Sequence, residues 1–273
     1  MTWAEFLPLV FMAVMGLALL AYVVLDGYDL GVGLLLPLGT DDQKDTMISS
    51  IGPFWDANET WLVLGVGVLL VAFPKAHGMV TGFDNGGLGW AFSLGIALTL
   101  PAAYVLLGAG WLIMKTEGEL QHRAVHWARR VLWPMGLALL AISAATPLVN
   151  QAVVEKWFGV PQIFALLPVP IVCAAAFFAV RWVVTRPRLI DAGYGWLVFV
   201  NTVLIFVLAF FGLAYSIFPD IVIGRLTVWE AASATGSLTV IFIGVAVTLP
   251  VIVAYTIYMY RVFWGKARAL SYQ

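Results

Sequence analysis

The chain has 273 residues, 62% hydrophobic and 11% charged, with twelve tryptophans. Soluble domains carry about 25% charged residues, so this composition cannot cover a water-facing surface at this length. The 14 basic and 15 acidic side chains give a net charge of -1, which leaves no basic footprint for nucleic acid. A single cysteine, Cys173 in an apolar run, excludes a disulfide framework and a cysteine-based zinc or iron–sulfur site.

Crossing about 30 Å of hydrocarbon takes roughly 20 apolar residues. Seven such runs are predicted, at 3–25, 51–73, 90–114, 131–149, 162–184, 195–218 and 236–260. The first follows Thr2-Trp3-Ala4-Glu5 without a basic leader or a small-residue cleavage site, so it is expected to stay as a span. Polar or turn-forming stretches at 38–50, 74–89, 115–130, 150–161, 185–194 and 219–235 separate the runs. No repeat or linker divides them. Residues 1–273 are therefore expected to form one all-α domain, a polytopic transmembrane helix bundle. Trp3, Trp90, Trp111, Trp133, Trp182, Trp196 and Trp264 fall near span ends, where amphipathic rings favour the headgroup zone.

Lys and Arg in short loops orient such a chain. With the N-terminus outside, the inner segments hold eleven: Lys44, Lys115, Arg123, Arg129, Arg130, Arg181, Arg186, Arg188, Arg261, Lys266 and Arg268. The outer segments hold three, Lys75, Lys156 and Arg225. An odd number of spans then places the C-terminus in the cytoplasm.

The second run is unusual. Its clearly apolar part, Trp61 to Phe73, is too short to cross. To span, it must take in Asp56, Asn58 and Glu59. A charge near a span centre costs about 2.5–3.5 kcal/mol, so these groups should face a protein interior, a partner or water. At i, i+3 spacing the two carboxyls project toward similar sides of a helix. Desolvation and mutual repulsion of that kind suit a proton relay. The plainer alternative is a helix start after Pro53, with Asp56 capping and Glu59 closing a capping box.

A second acidic pair, Asp26 and Asp29, ends the first run among Gly27, Gly31 and Gly33. These glycines permit close helix packing or an irregular backbone. A polar turn is the plainer reading, but carboxylates are disfavoured at a helix C-terminus and the chain stays apolar through Leu38. His77, His122 and His126 all fall outside the predicted spans. The i, i+4 pair His122 and His126 could bind a metal, although a solvated basic segment explains it better. The chain is thus expected not to ligate heme itself and to hold no metal. Thr81 to Gly89 reads as a flexible, turn-forming loop. Lys115 reads as an interfacial anchor followed by a Gly118 stop, Pro101 and Pro250 as kinks, and Tyr255, Tyr258 and Tyr260 as an aromatic belt.

Five separated stretches are similar to one family. They are Asp26-Gly-Tyr-Asp29-Leu-Gly-Val-Gly33, Ile51-Gly-Pro-Phe-Trp-Asp56-Ala-Asn58-Glu59-Thr-Trp61, Ala72-Phe-Pro74, Trp111 through Leu120, and Leu249-Pro250 through Lys266. In order and spread over both ends of the chain, they resemble subunit II of cytochrome bd-type quinol oxidases, the wording around Asp56 being most similar to the cyanide-insensitive branch. The resemblance implies an oxidoreductase complex of the bacterial cytoplasmic membrane that oxidises ubiquinol and reduces dioxygen to water. Its hemes, two b-type plus a d-type or b-type, would sit in a heme-bearing subunit I. A small accessory subunit and membrane lipid complete the implied partners. Asp56 resembles a member of the cytoplasmic proton-entry path, with Glu59, Asn58, Asp26 and Asp29 in the same family clusters. Bound ubiquinone is implied for some members, without contacts that can be carried to residues here. The family has nine spans where this chain reads as seven. The junction His77-Gly-Met-Val-Thr-Gly82 stands where a helix pair is expected, near residues 78–81. Two other classes remain open from the residues: a proton-coupled transporter, although inverted repeats are not visible, and a purely structural membrane subunit.

Overall fold

The structure, a computed structural model, describes residues 1–81, 86–149 and 151–267, with side chains outside 80–92 and 148–152. Of the 81–89 stretch read as a turn-forming loop, Thr81 ends one helix and 86–89 open another, while 82–85, the Trp90 ring and Arg268 lie outside the described residues. Among those described, seven helices are long and apolar enough to cross a membrane, and the chain is an all-α polytopic bundle.

Helix α1 (Trp3–Leu35) continues ten residues past the predicted span end, and a 3-10 turn carries it to Leu38. Asp26 and Asp29 therefore lie inside a helix and not in a terminal turn. The polar stretch after it is also helical: α2 (Asp41–Ile51) opens with the Thr40 amide donating to Gln43 Oε1 at 3.2 Å. The helical ladder then stops at Gly52, because Pro53 has no N–H to donate to a continuing helix. Helix α3 (Trp55–Ala72) starts only after that break. It is followed by α4 (Pro74–Thr81) and α5 (Gly86–Lys115).

Helix α6 (Gly118–Val149) absorbs most of the stretch read as a loop. Its candidate span, Gly118–Pro147, has 30 residues, about 45 Å at 1.5 Å per residue, so its polar first turns can project beyond about 30 Å of hydrocarbon. The helical ladder simply continues through His122, His126, Arg129 and Arg130. Then come α7 (Gln151–Phe158), α8 (Gln162–Leu166), α9 (Pro168–Val184), α10 (Pro187–Leu189), a π-turn at Ile190–Tyr194, and α11 (Trp196–Ile217). A small antiparallel hairpin, β1 (Asp220–Val222) with β2 (Leu226–Thr227), leads through α12 (Val228–Ala231) to α13 (Thr235–Val262).

The chain forms two compact units. The first comprises residues 1–23, 54–84 and 213–264. Its core is Leu7 and Phe11 of α1, Val68 and Ala72 of α3, Phe73, Ala76 of α4, Val228, Ala231 and Leu238. The carbonyls at the end of α3 have no helical partner. Ser233 supplies two, its hydroxyl donating to the Val71 carbonyl at 2.8 Å and its amide to that of Ala72 at 2.9 Å.

Helix α12 is capped by Thr227, whose amide and hydroxyl both donate to Glu230 Oε2, at 2.8 and 2.7 Å. The amide bond, then the hydroxyl bond, then the Lys75 charge hold the Glu230 carboxyl below its ordinary 4.5. A depressed carboxyl stabilises the fold above the ordinary value, and that contribution disappears as pH falls through the lowered one. Acidification is expected to lower amide protection across 227–231 relative to the intrinsic exchange rate, and Glu230→Gln to show the lowered protection at neutral pH. Wild-type protection at neutral pH in the variant would refute the cap.

The second unit comprises 24–53, 85–212 and 265–273. Helices α5 and α6 form its main antiparallel pair, turned by Gly118 at φ 66°, a left-handed backbone that favours glycine. The later half of α1 crosses α5 with the backbones in contact. A Cβ on Gly31 would lie 1.9 Å from the Tyr104 carbonyl oxygen, and one on Gly108 2.4 Å from Gly31 carbon and Val32 nitrogen. Of the two readings offered for the 27–33 glycines, the structure takes close packing.

Candidate functional site: the acids of α3 and α1

Phe54, not Asp56, occupies the cap position of α3, and no side chain caps it. Capping therefore does not explain the acids. Asp56 is the second residue of the helix and Glu59 the fifth, nearer the helix end than the predicted span 51–73 would place them. The reason is the Gly52-Pro53 break, which ends α2 at Ile51 and keeps 52–54 out of α3. Near its positive end a helix favours anions, and an acid close to a span end costs less than one at the centre.

Neither acid is buried within this chain, where burial had been one expectation. Asp56 and Glu59 are both exposed, and so are Val63, Val66 and Leu70. These five positions follow spacings of three and four, which place them in one stripe along α3. A separate face of α3 is buried: Ala57, Asn58, Trp61, Gly65, Val68 and Ala72.

The polar members of that buried face bond to α13. Asn58, fully buried, accepts at Oδ1 from the Tyr260 hydroxyl at 3.2 Å. Trp61 Nε1 donates to Thr256 Oγ1 at 3.3 Å. The Phe54 and Tyr260 rings lie 4.7 Å apart. Tyr260 thus leaves the expected aromatic belt, while Tyr255 and Tyr258 stay exposed. Sequence reasoning missed Tyr260 and Thr256 as partners of α3; their i, i+4 spacing on α13 was the available signal. A double-mutant cycle on Asn58→Leu and Tyr260→Phe is expected to give a coupling of about 0.5–1.5 kcal/mol, the range of interhelical hydrogen bonds in membranes. A coupling of zero would remove the bond from the account.

Asp26 and Asp29 lie in the second unit and are both buried, each 7% exposed. Between them, Tyr28 stacks on Trp111 of α5 with centroids 4.0 Å apart and planes 16° off parallel. Phe199 of α11 meets both rings edge-on, at 5.8 and 5.4 Å. Trp111 is therefore a core residue, not an interfacial ring. Its Nε1 donates to the Ser50 carbonyl at 3.1 Å. Lys115 is likewise buried and not a solvated anchor: its Nζ sits 5.1 Å from the Trp111 centroid and donates to the Gly265 carbonyl at 3.0 Å. The Lys115 carbonyl accepts in turn from the Ala267 amide at 2.7 Å. The Trp111–Lys115 spacing of four was the sequence signal for this stack.

The five expected site residues thus form two groups, Asp56, Asn58 and Glu59 in the first unit and Asp26 and Asp29 in the second. His122 and His126, placed on a loop by the sequence, lie exposed on α6, with His122 Nε2 3.8 Å from Asp191. Among the described residues, no three His, Cys, Asp or Glu side chains gather as a metal site.

A model of the cytochrome bd terminal oxidase subunit II family matches residues 7–83 and 79–263. The chain belongs to this family. It is 39% identical over 75 residues to the cytochrome bd-I ubiquinol oxidase subunit 2 of Escherichia coli strain K12, a match covering 27% of this chain and 20% of that protein. It is 42% identical over 65 residues to the cytochrome bd ubiquinol oxidase subunit 2 of Bacillus subtilis strain 168, covering 23% of this chain and 19% of that protein. These matches span about a fifth of the relatives' length. Both acidic groups fall within the first stretch matched by the family model.

Proposed function

We propose that this chain is the second subunit of a membrane quinol oxidase that oxidises ubiquinol and reduces dioxygen to water. Family membership supports the class of complex. The observation that carries the chain's own role is the exposed α3 stripe, in which Asp56 and Glu59 continue into Val63, Val66 and Leu70. Lipid solvates the apolar end of such a stripe and disfavours the acidic end. A partner helix with polar groups opposite the acids satisfies both. The partner is the heme-bearing subunit I, and Asp56, with Glu59 and Asn58 beside it, lies on a proton-uptake path from the cytoplasm. Asp26 and Asp29, buried where Asp56 and Glu59 are exposed, form a second acidic group of the same system.

The hemes, two b-type plus a d-type or b-type, belong to subunit I in this reading. The complex uses ubiquinone as its oxidised product and resides in the bacterial cytoplasmic membrane, with the N-terminus of this chain outside. The family model matches in two stretches that meet at 79–83, which supports a family helix pair being absent near 78–81. The test is purification of the complex through this chain. A reduced-minus-oxidised heme spectrum, a large second subunit and quinol-driven oxygen uptake are expected. A heme-free single chain that carries solute flux in liposomes would replace this reading with the transporter.

A further inference from the structure

We propose that the basic corner where α6 meets the end of α9 is a binding site for the headgroup of an anionic phospholipid. Two tryptophans mark it, Trp133 on α6 and Trp182 on α9, each 47% exposed. Such rings settle at the headgroup level of a bilayer. The Arg181 guanidinium lies 5.3 Å over the Trp133 ring, and that of Arg186 lies 4.7 Å over Trp182. Arg130 precedes Trp133 by three residues, which puts both on one side of α6. Arg188 follows on α10.

Two of the four cations, Arg181 and Arg186, lie over indole rings. Among the described residues, none of these four arginines is ion-paired with a carboxylate. The acid that follows them, Asp191, faces His122 at 3.8 Å. All four arginines are exposed. A cation–π contact holds a guanidinium near the ring without using its N–H fork in an ion pair, and that fork matches two oxygens of a phosphate.

The corner is also built on close helix packing. Arg129 Nε donates to the Val184 carbonyl, tying the end of α9 to α6. Below it, Phe177 meets Trp133 edge-on at 5.5 Å, and a Cβ on Gly136 would lie 2.5 Å from the Phe177 ring. Down the Trp182 side of α9, Ile171 and Phe178 are exposed at spacings of seven and four from one another and from Trp182. That stripe is an apolar track below the basic head, which is what an acyl chain requires and a free phosphate does not. A role confined to orienting the chain during insertion accounts for the charges but not for their seating on rings above this track.

The experiment is native mass spectrometry of the full chain in its purified membrane complex, with phosphatidylglycerol or phosphatidylcholine added. Phosphatidylglycerol adducts are expected to outlast phosphatidylcholine adducts on the wild type. Each arginine removed should weaken that binding about fivefold, the equivalent of about 1 kcal/mol per basic residue near an anionic surface. The double variant Arg181→Gln/Arg186→Gln is then expected to lose about 25-fold. Arg188→Gln, at a position with no packing role, serves as a variant that keeps the fold, and Arg225→Gln in the first unit should change nothing. The proposal is overturned if the two lipids bind wild type equally, if Arg188→Gln and the folded double variant keep wild-type adducts, or if millimolar inorganic phosphate strips the phosphatidylglycerol.

Discussion

Gly31→Ala is expected to be among the most damaging single-methyl changes in the chain, with Gly108→Ala close behind. The added Cβ at Gly31 would sit 1.9 Å from the Tyr104 carbonyl oxygen and 2.8 Å from the Gly108 nitrogen. Both atoms are backbone, so no rotamer change relieves the clash. The helices α1 and α5 must move apart, and with them the Tyr28–Trp111 stack and the burial of Asp26 and Asp29. Overpacking costs about 1–3 kcal/mol, and more where the backbone itself must shift; Gly31→Ala should cost about 3 kcal/mol or more. Gly33 is the internal control, because a Cβ there meets nothing within 4 Å. Gly33→Ala should be neutral or gain up to about 1 kcal/mol from helix propensity. Thermal unfolding of the purified variants distinguishes them. Equal midpoints for the two alanine variants would show that the helix crossing does not depend on Gly31.

That contrast also shows where sequence reading reaches its limit. Gly27, Gly31 and Gly33 look alike in the sequence, since a glycine-rich stretch permits close approach without saying which residue makes it. The seven spans were legible because a run of about 20 apolar residues has one main solution in a bilayer. The helical loops were not. Residues 41–51 and 118–130 are polar, and hydropathy reports the environment of a segment, not whether its backbone ladder continues. The acids were found because charge in an apolar run stands out. Their partition was not legible: Asp26 and Asp29 are buried by helix–helix contact, while Asp56 and Glu59 are left outside by the Gly52-Pro53 break and the turn of α3. Tyr260 and Lys115 were read from their positions at span ends, and tertiary partners decided otherwise. An aromatic or a lysine at a span end is equally suited to the interface and to a partnered core, so position alone cannot choose.

Asp56→Asn is expected to lower quinol-driven oxygen uptake of the purified complex by about 100-fold, the lower end of the range by which positioned proton-transfer groups act. The substitution keeps size and hydrogen-bonding shape and removes the proton exchange. Asp56 sits in the first turn of α3 and is exposed on this chain. Such a group can hand a proton between water and a partner subunit without first being dug out of a core. Glu59, three residues on in the same stripe, should respond in the same direction to Glu59→Gln but by less, if Asp56 is the group nearer the partner's polar surface. Asn58 answers differently. Its amide is buried and bonded to Tyr260 at 3.2 Å, so Asn58→Leu should weaken the α3–α13 packing and assembly before it touches the rate per assembled complex. A loss of turnover in Asp56→Asn with heme content, assembly and quinol binding intact supports proton delivery. Wild-type oxygen uptake and proton uptake in that variant would leave Asp56 a packing residue and remove the relay from this subunit.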